Sequence, residues 1–239
     1  MTQTHAFINW SGGKDAAFSL YKMLGNPDLS IDYLLTTVSS AYHRVSMHGV
    51  REELLKEQAL EIGIPLQIAY LPERADMETY NRLMAEQLAV FARKDIRYAV
   101  FGDIFLEDLR EYREKQLKLL AIKAVFPLWK KNTVELIKEF LDAGFKAIIT
   151  CVNARCLDRS FAGREITMDL LKDMPGNVDP CGENGEFHSF VYDGPIFKKA
   201  VKFSKGEIIE RTYPVSEDKE VNWDHHFYFC DLLPLSSPL

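Results

Sequence analysis

Cysteine is scarce in this sequence: four residues, at positions 151, 156, 181 and 230, in a chain of 239. Four thiols in a chain of this length do not make a disulfide framework, and free thiols in a reducing compartment are expected. Cys151 and Cys156, spaced C-x4-C, do not supply the four placed ligands of a zinc site. Glycine (13) and proline (10) are too few for a collagenous or low-complexity chain. No run of about 18 apolar residues occurs, which argues against a membrane-spanning helix. The opening residues, MTQTHAFINWSGGKD, lack a basic region followed by an apolar stretch, so no secretory leader is expected and the reading is cytoplasmic. Basic residues are also short: 29 Lys and Arg against 35 Asp and Glu, a formal charge of −6. That balance lacks the broad basic footprint of a nucleic-acid binder.

What is present is an ordinary globular composition, 47% hydrophobic and 27% charged. Apolar runs and helical patterns alternate. Strands are predicted at 6–10, 31–38, 66–71, 98–101, 124–128 and 145–152. Between them lie helices at 17–24, 51–62, 77–92, 107–121 and 133–143. The first helix rests on Ala17, Leu20, Tyr21 and Leu24, one helical face; the second on Leu55, Ala59 and Ile62. This alternation predicts an α/β fold with a mostly parallel sheet over residues 1–152. From 153 to 239 the texture changes to a smaller α+β lobe. It has a helix at 166–173, strands at 187–192, 197–203, 207–212 and 227–231, and a turn at Ser204-Lys205-Gly206. The oligomeric state is left open by the sequence, a homo-oligomer included.

Two loops carry the chemistry. Ser11-Gly12-Gly13-Lys14-Asp15 lies between a predicted strand and helix. Paired glycines let backbone N–H groups approach a phosphate, the helix N-terminus adds its dipole, and Lys14 adds a charge. The loop is not a Walker A motif, which needs Gly in place of Ile8 and Ser or Thr in place of Asp15. The second loop, Pro180-Cys181-Gly182-Glu183-Asn184-Gly185-Glu186-Phe187-His188, gathers two carboxylates and an imidazole ahead of a strand. Scaffolded loops often carry function, although composition alone favours a solvated turn with a capping Glu. Residues 107–118 form a charge-dense segment with i,i+4 pairs Glu111–Lys115 and Glu114–Lys118, the pattern of a solvated helix face.

The first loop resembles the SGGxDS loop of the N-type ATP pyrophosphatases, the PP-loop enzymes, with Ala16 in place of the final Ser. Taken with CGENGEF, the chain resembles the diphthine–ammonia ligase family over roughly residues 6–203. Further matching stretches are HGVREEL from His48, GIPL from Gly63, Gly102-Asp103-Ile104 with Arg110, Arg113 and Glu114, FPLW from Phe126 and GFKA from Gly144. The resemblance implies an adenine nucleotide α-hydrolase-like, Rossmann-like domain and an ATP-dependent ligase. In such an enzyme a carboxylate acceptor, protein-bound or small, is adenylated, ammonia forms the amide, and AMP and pyrophosphate are released. It implies ATP held by Ser11, Gly12, Gly13, Lys14, Asp15, Thr37, Val38, His48 and Gly102. Catalytic roles fall to Lys14, Asp103, Glu114, Glu183, Glu186 and His188, acceptor binding to Arg110 and Arg113, and Mg2+ to Asp15 and Asp103. Two other classes stay open: a regulatory module that binds ATP without turnover, and an ATP-dependent RNA-modifying enzyme. The absence of C-x-x-C argues against sulfur transfer to tRNA, and no glutaminase is evident, so ammonium or a separate subunit would supply nitrogen.

Overall fold

The structure is a computed structural model that describes residues 3–45, 48–212 and 226–235. Its first half runs β1 (Thr4–Asn9), α1 (Lys14–Leu24), β2 (Leu29–Ser39), α2 (Glu52–Ile62), β3 (Leu66–Leu71), α3 (Met77–Arg93), β4 (Tyr98–Val100), α4 (Glu107–Lys118) and β5 (Lys123–Val125). The five strands form a parallel sheet in the order β3-β2-β1-β4-β5. The chain therefore reverses its direction of winding between β1 and β4. In open parallel sheets the crevice beyond the carboxyl ends of the strands at such a point is where ligands bind. β5 is short because Pro127, two residues past its end, cannot donate to a ladder.

Alternation along β1 divides the core. Ala6 and Ile8 face a large cluster with Leu20 of α1, Leu54 of α2 and residues of the C-terminal half. Phe7 faces the other side, stacking on Phe91 of α3 at 4.7 Å between ring centroids. The buried face of α1 is Ala17, Phe18, Leu20 and Met23, whereas Tyr21 and Leu24 of the predicted face are exposed. Tyr21 nevertheless packs edge-on against Phe145 at 5.6 Å between ring centroids, and Leu24 is the outermost residue of the face. α2 ends on Gly63 in the left-handed conformation (φ 80°), with the Gly63 N–H donating to Ala59 O.

The second half comprises α5 (Thr133–Asp142), β6 (Lys146–Asn153), α6 (Met168–Asp173), β7 (Phe187–Asp193), β8 (Phe203–Thr212) and β9 (His226–Pro234). Its strands form an antiparallel sheet in the order β7-β6-β9-β8. β6, which the alternation pattern appends to the parallel sheet, is the second strand of this sheet. Two strand expectations are corrected here. Residues 197–202 form no strand, and β8, which starts at Phe203, runs continuously through the predicted Ser204–Gly206 turn. The register against β9 shifts between Lys205 and Ile208, so Gly206 sits in an irregularity of the ladder, close to Asp231 O, instead of reversing the chain. Among the described residues no helix is long and apolar enough to cross a membrane.

Candidate active site

The glycine loop leaves β1 at the point where the sheet reverses. Gly12 has φ 79°, a conformation that suits glycine, and a Cβ there would lie 2.8 Å from both Gln58 Oε1 and Leu55 Cδ2. Gly13 caps α1 without a side-chain hydrogen bond; of the first-turn N–H groups, that of Lys14 is taken by Ser189 Oγ at 3.2 Å. Gly102, just past β4, has no room for a Cβ either, because the Asp15 backbone carbon would be 2.8 Å away. The loops after β1 and β4 are therefore in backbone contact.

Lys14 is 5% exposed, and its Nζ donates to both Asp15 oxygens at 2.9 and 2.8 Å. Burial works against its charge, but Asp15, Cys181 and Glu183 outweigh burial and raise its pKa, so the ammonium is held protonated. The same ammonium lies 5.5 Å from the centroid of the Phe187 ring. Asp103 receives Arg113 through two contacts, Nε at 2.8 Å and Nη2 at 3.2 Å, and that guanidinium lies 4.4 Å over the Phe101 ring.

The second loop closes on this cluster from the antiparallel sheet. Burial, and then the Asp15 carboxylate, push the pKa of Glu183 up to about 8. Glu186 is 3% exposed and turned inward: Oε1 accepts from Asp179 N at 3.0 Å and Asn184 Nδ2 at 3.0 Å, and Oε2 from Asn184 N at 2.9 Å. Asp179 performs the complementary task, accepting from Cys181 N at 2.8 Å and Thr133 Oγ1 at 2.7 Å. The loop is thus built around two internal carboxylates, with Glu183 left facing Lys14 and Asp15.

His48 and His188 stack with ring centroids 4.4 Å apart. A Cβ on Gly13 would lie 3.1 Å from His48 Cε1, so the pair abuts the glycine loop. Burial and the Lys14 charge hold His48 down at about 4; burial, His48 and Lys14 hold His188 well below the ordinary histidine value. Both rings are neutral near pH 7.

The structure thus gathers Ser11 to Asp15, Gly102, Asp103, Arg113, Glu183, His48 and His188. Glu114 is not brought to this cluster: it is exposed and pairs with Arg110 at 2.8 Å. Arg110 itself lies 4.6 Å over Trp129 and 5.1 Å over Phe126. Thr37 and Val38 pair with β3 at the end of β2; Val38 is wholly buried, backbone included, so of the two only Thr37 is open to a ligand. A cavity of about 540 Å3 opens just beyond, walled by Ser39, Tyr42 and Tyr80 from one half and Arg211 and Phe229 from the other. Its size suits a small-molecule ligand. Among the described residues no group of three or more His, Cys, Asp and Glu side chains is arranged to hold a metal ion.

Residues that the motifs do not single out tie the site together. Gln58 of α2 is fully buried; its Nε2 donates to Gly12 O at 3.0 Å and Val191 O at 2.6 Å, and its Oε1 accepts from Trp10 Nε1 at 2.9 Å. Val191 N also donates to Gly12 O at 2.9 Å, and Lys14 N donates to Ser189 Oγ at 3.2 Å. The signal that could have found Gln58 is an amide on the apolar face of α2, three residues after Leu55.

Known proteins resemble the chain along nearly its whole length. The diphthamide synthase N-terminal domain family matches residues 4–124, and the diphthamide synthase C-terminal domain family matches residues 132–232. The human protein named diphthine–ammonia ligase is 30% identical over 225 residues, covering 83% of this chain and 82% of that one. The mouse protein of that name is 29% identical over 230 residues with the same coverage. The Schizosaccharomyces pombe protein is 28% identical over 144 residues, 59% of this chain and 23% of its own length. Among solved structures, the U34-tRNA thiolase NcsA from Methanococcus maripaludis aligns with a TM-score of 0.40 and 15% identity over 59% of this chain and 58% of that one. With both domain families matched in order and relatives aligned over four-fifths of its length, the chain belongs to the diphthine–ammonia ligase family.

Proposed function

We propose that the protein is an ATP-dependent amide ligase. A carboxylate attacks the α-phosphate of ATP, pyrophosphate leaves, and ammonia then displaces AMP from the acyl-adenylate to give the amide. The observation that carries this reading is the meeting of two loops. A glycine loop at a helix N-terminus, with a buried cationic Lys14, faces the proton-holding Glu183. The relatives' name supports diphthine as the acceptor class, or another carboxylate in a paralogue.

In this reading the positive end of α1 and the Lys14 ammonium stabilise the charge that develops on departing pyrophosphate. Phosphate oxygens would share Lys14 with Asp15. Thr37, at the end of β2, would meet adenine, with the buried Val38 beneath it. Mg2+ would neutralise phosphate charge. Asp15 and Asp103 are the residues fitted to hold its waters, since nucleotide-bound magnesium keeps most of its shell from phosphate and water. Glu183, whose pKa lies near neutrality, is matched to take the proton from incoming ammonium. His48 and His188, being neutral, offer imidazole nitrogens beside the phosphates without opposing Lys14. Arg113 orients Asp103, Arg110 offers its guanidinium edge to the acceptor with Glu114 behind it, and Glu186 shapes the loop that presents Glu183.

The test is product analysis of α-labelled ATP with Mg2+, fractionated extract as acceptor, and ammonium added or withheld. AMP that requires both extract and ammonium, and that Lys14→Ala abolishes, is the expected result. Formation of ADP instead would refute cleavage between the α and β phosphates.

A further inference from the structure

The phosphate loop is fastened to the second sheet by one buried side chain. Gln58 has no solvent contact, and each polar atom of its amide is used. Trp10 Nε1 can only donate, so it fixes which end of the amide is oxygen. The two carbonyls, Gly12 O in the loop and Val191 O in β7, can only accept, so they fix the nitrogen. The orientation is therefore determined by its partners. The same Gly12 carbonyl also takes the Val191 N–H, and the Lys14 N–H is held by Ser189 two residues earlier in β7. β7 begins at Phe187, immediately after the loop that carries Glu183. The alignment of Gly12 with Val191 and of Lys14 with Ser189 therefore sets how far Lys14 stands from Glu183.

We infer that Gln58 is a positioning residue: it locks the phosphate loop onto β7 and so fixes Lys14 and the loop N–H groups relative to the Glu183 loop. The inference rests on the phosphate-loop reading above. Gln58 touches no substrate; it acts through Gly12. Its three bonds join α2, the β1–α1 loop and β7, so the loop takes its shape only with the second sheet docked. An apolar residue of the same length fills the space but removes the Gln58 donor from Val191 O and from Gly12 O, which keeps only the Val191 N–H, and leaves Trp10 Nε1 without its acceptor.

The experiment measures pyrophosphate affinity by calorimetry, the KM for ATP in AMP formation, and Tm. The proteins are wild type, Gln58→Met, Gln58→Glu, Lys14→Ala and Phe91→Leu. Phe91 lies in the separate core cluster against Phe7 and Tyr33, so Phe91→Leu reports what loss of stability alone does. Gln58→Met is expected to weaken pyrophosphate binding and raise KM by about tenfold or more, as displaced site groups do. Gln58→Glu, facing two carbonyls, stays protonated and keeps one of the two donated bonds. It should recover part of the affinity, and lose it as pH rises and the carboxyl ionises. Pyrophosphate binding by Gln58→Met equal to that of Phe91→Leu at matched Tm would overturn the proposal. So would Gln58→Glu no better than Gln58→Met at any pH. Failure of the wild type itself to bind pyrophosphate, or equal binding by Lys14→Ala, would overturn the phosphate-loop reading and this proposal with it.

Discussion

Lys14 is the residue on which the phosphate site turns. It is buried, charged and paired with a neighbouring carboxylate, an arrangement that costs desolvation and rarely arises for stability alone. Lys14→Ala should lower AMP formation by about two to three orders of magnitude, the scale of losing one placed charge donor. Its melting temperature should change far less, because Asp15 is partly open to the crevice and can take up water. Unchanged turnover with a normal melting curve would remove Lys14 from the chemistry. Glu183 gives a pH prediction with a definite sign. Its folded pKa is raised, to about 8, so its contribution to stability is complete below the ordinary carboxyl range and is lost as pH climbs through 8. The Tm of Glu183→Gln relative to wild type should therefore increase between pH 5 and pH 9. AMP formation by the wild type should rise with a midpoint near pH 8, a limb that Glu183→Gln lacks. A flat difference in Tm would mean that Glu183 titrates no differently in the folded and unfolded chain.

At the scale of elements, glycines in similar backbone conformations separate shape from function. Gly12 and Gly63 both have φ near 80°. At Gly63 an added Cβ meets the flexible Lys198 Nζ at 3.1 Å, at the far end of a helix from the site. Gly63→Ala should cost about 1 kcal/mol of stability and leave ATP turnover intact. At Gly12 the Cβ would press on Gln58 and Leu55, both buried, so Gly12→Ala should cost about 1–3 kcal/mol and abolish pyrophosphate binding. Parallel denaturant melts and calorimetry check the pair; equal losses of binding would refute the distinction. The glycine loop was legible because strand, Gly pair, Lys and helix are contiguous in sequence, and the same holds for CGENGEF. What contiguity hides is the internal wiring. Glu186 and Glu183 look alike in the sequence, yet only the fold shows that Glu186 spends both oxygens on Asp179 and Asn184. Glu114 shares a motif with Arg113 but pairs with Arg110 on the exposed face of α4. β6 looks like one more strand of the alternating pattern. Its choice of sheet depends on pairing with β7 and β9, tens of residues further on, which no local window contains.

For the whole molecule the question is what holds the two sheets in one arrangement. A single apolar cluster runs from β1 and α1 through β6 and β7, but apolar packing fixes proximity better than register. Register comes from polar bonds across the junction: Gln58 on one flank of the glycine loop and Asp231 of β9 on the other. Asp231 accepts from Arg44 Nη1 at 2.8 Å and from Arg51 Nη2 at 2.7 Å. Those arginines face each other across the segment that carries His48, closed by Val45 N donating to Val50 O. Against the cost of burial, Arg51 and Arg44 hold the Asp231 carboxyl down at about 2. A depressed pKa contributes stability that is present above the ordinary carboxyl value and lost as pH falls through the folded one. Asp231→Asn keeps the shape and removes the charge that the two guanidiniums share. It should cost about 2 kcal/mol at pH 7, the scale of hydrogen bonds to charged groups. In a chain of this size that lowers Tm by about 4–8 °C. The gap to wild type should close as pH is taken from 5 towards 2, where wild-type Asp231 also becomes neutral. The variant should also raise the KM for ATP, because His48 loses its anchor, whereas Gly63→Ala, which is also destabilised, should not. A Tm gap that stays constant with pH would show that the Asp231 charge does not hold the halves together, and an unchanged KM would separate this clamp from the phosphate site.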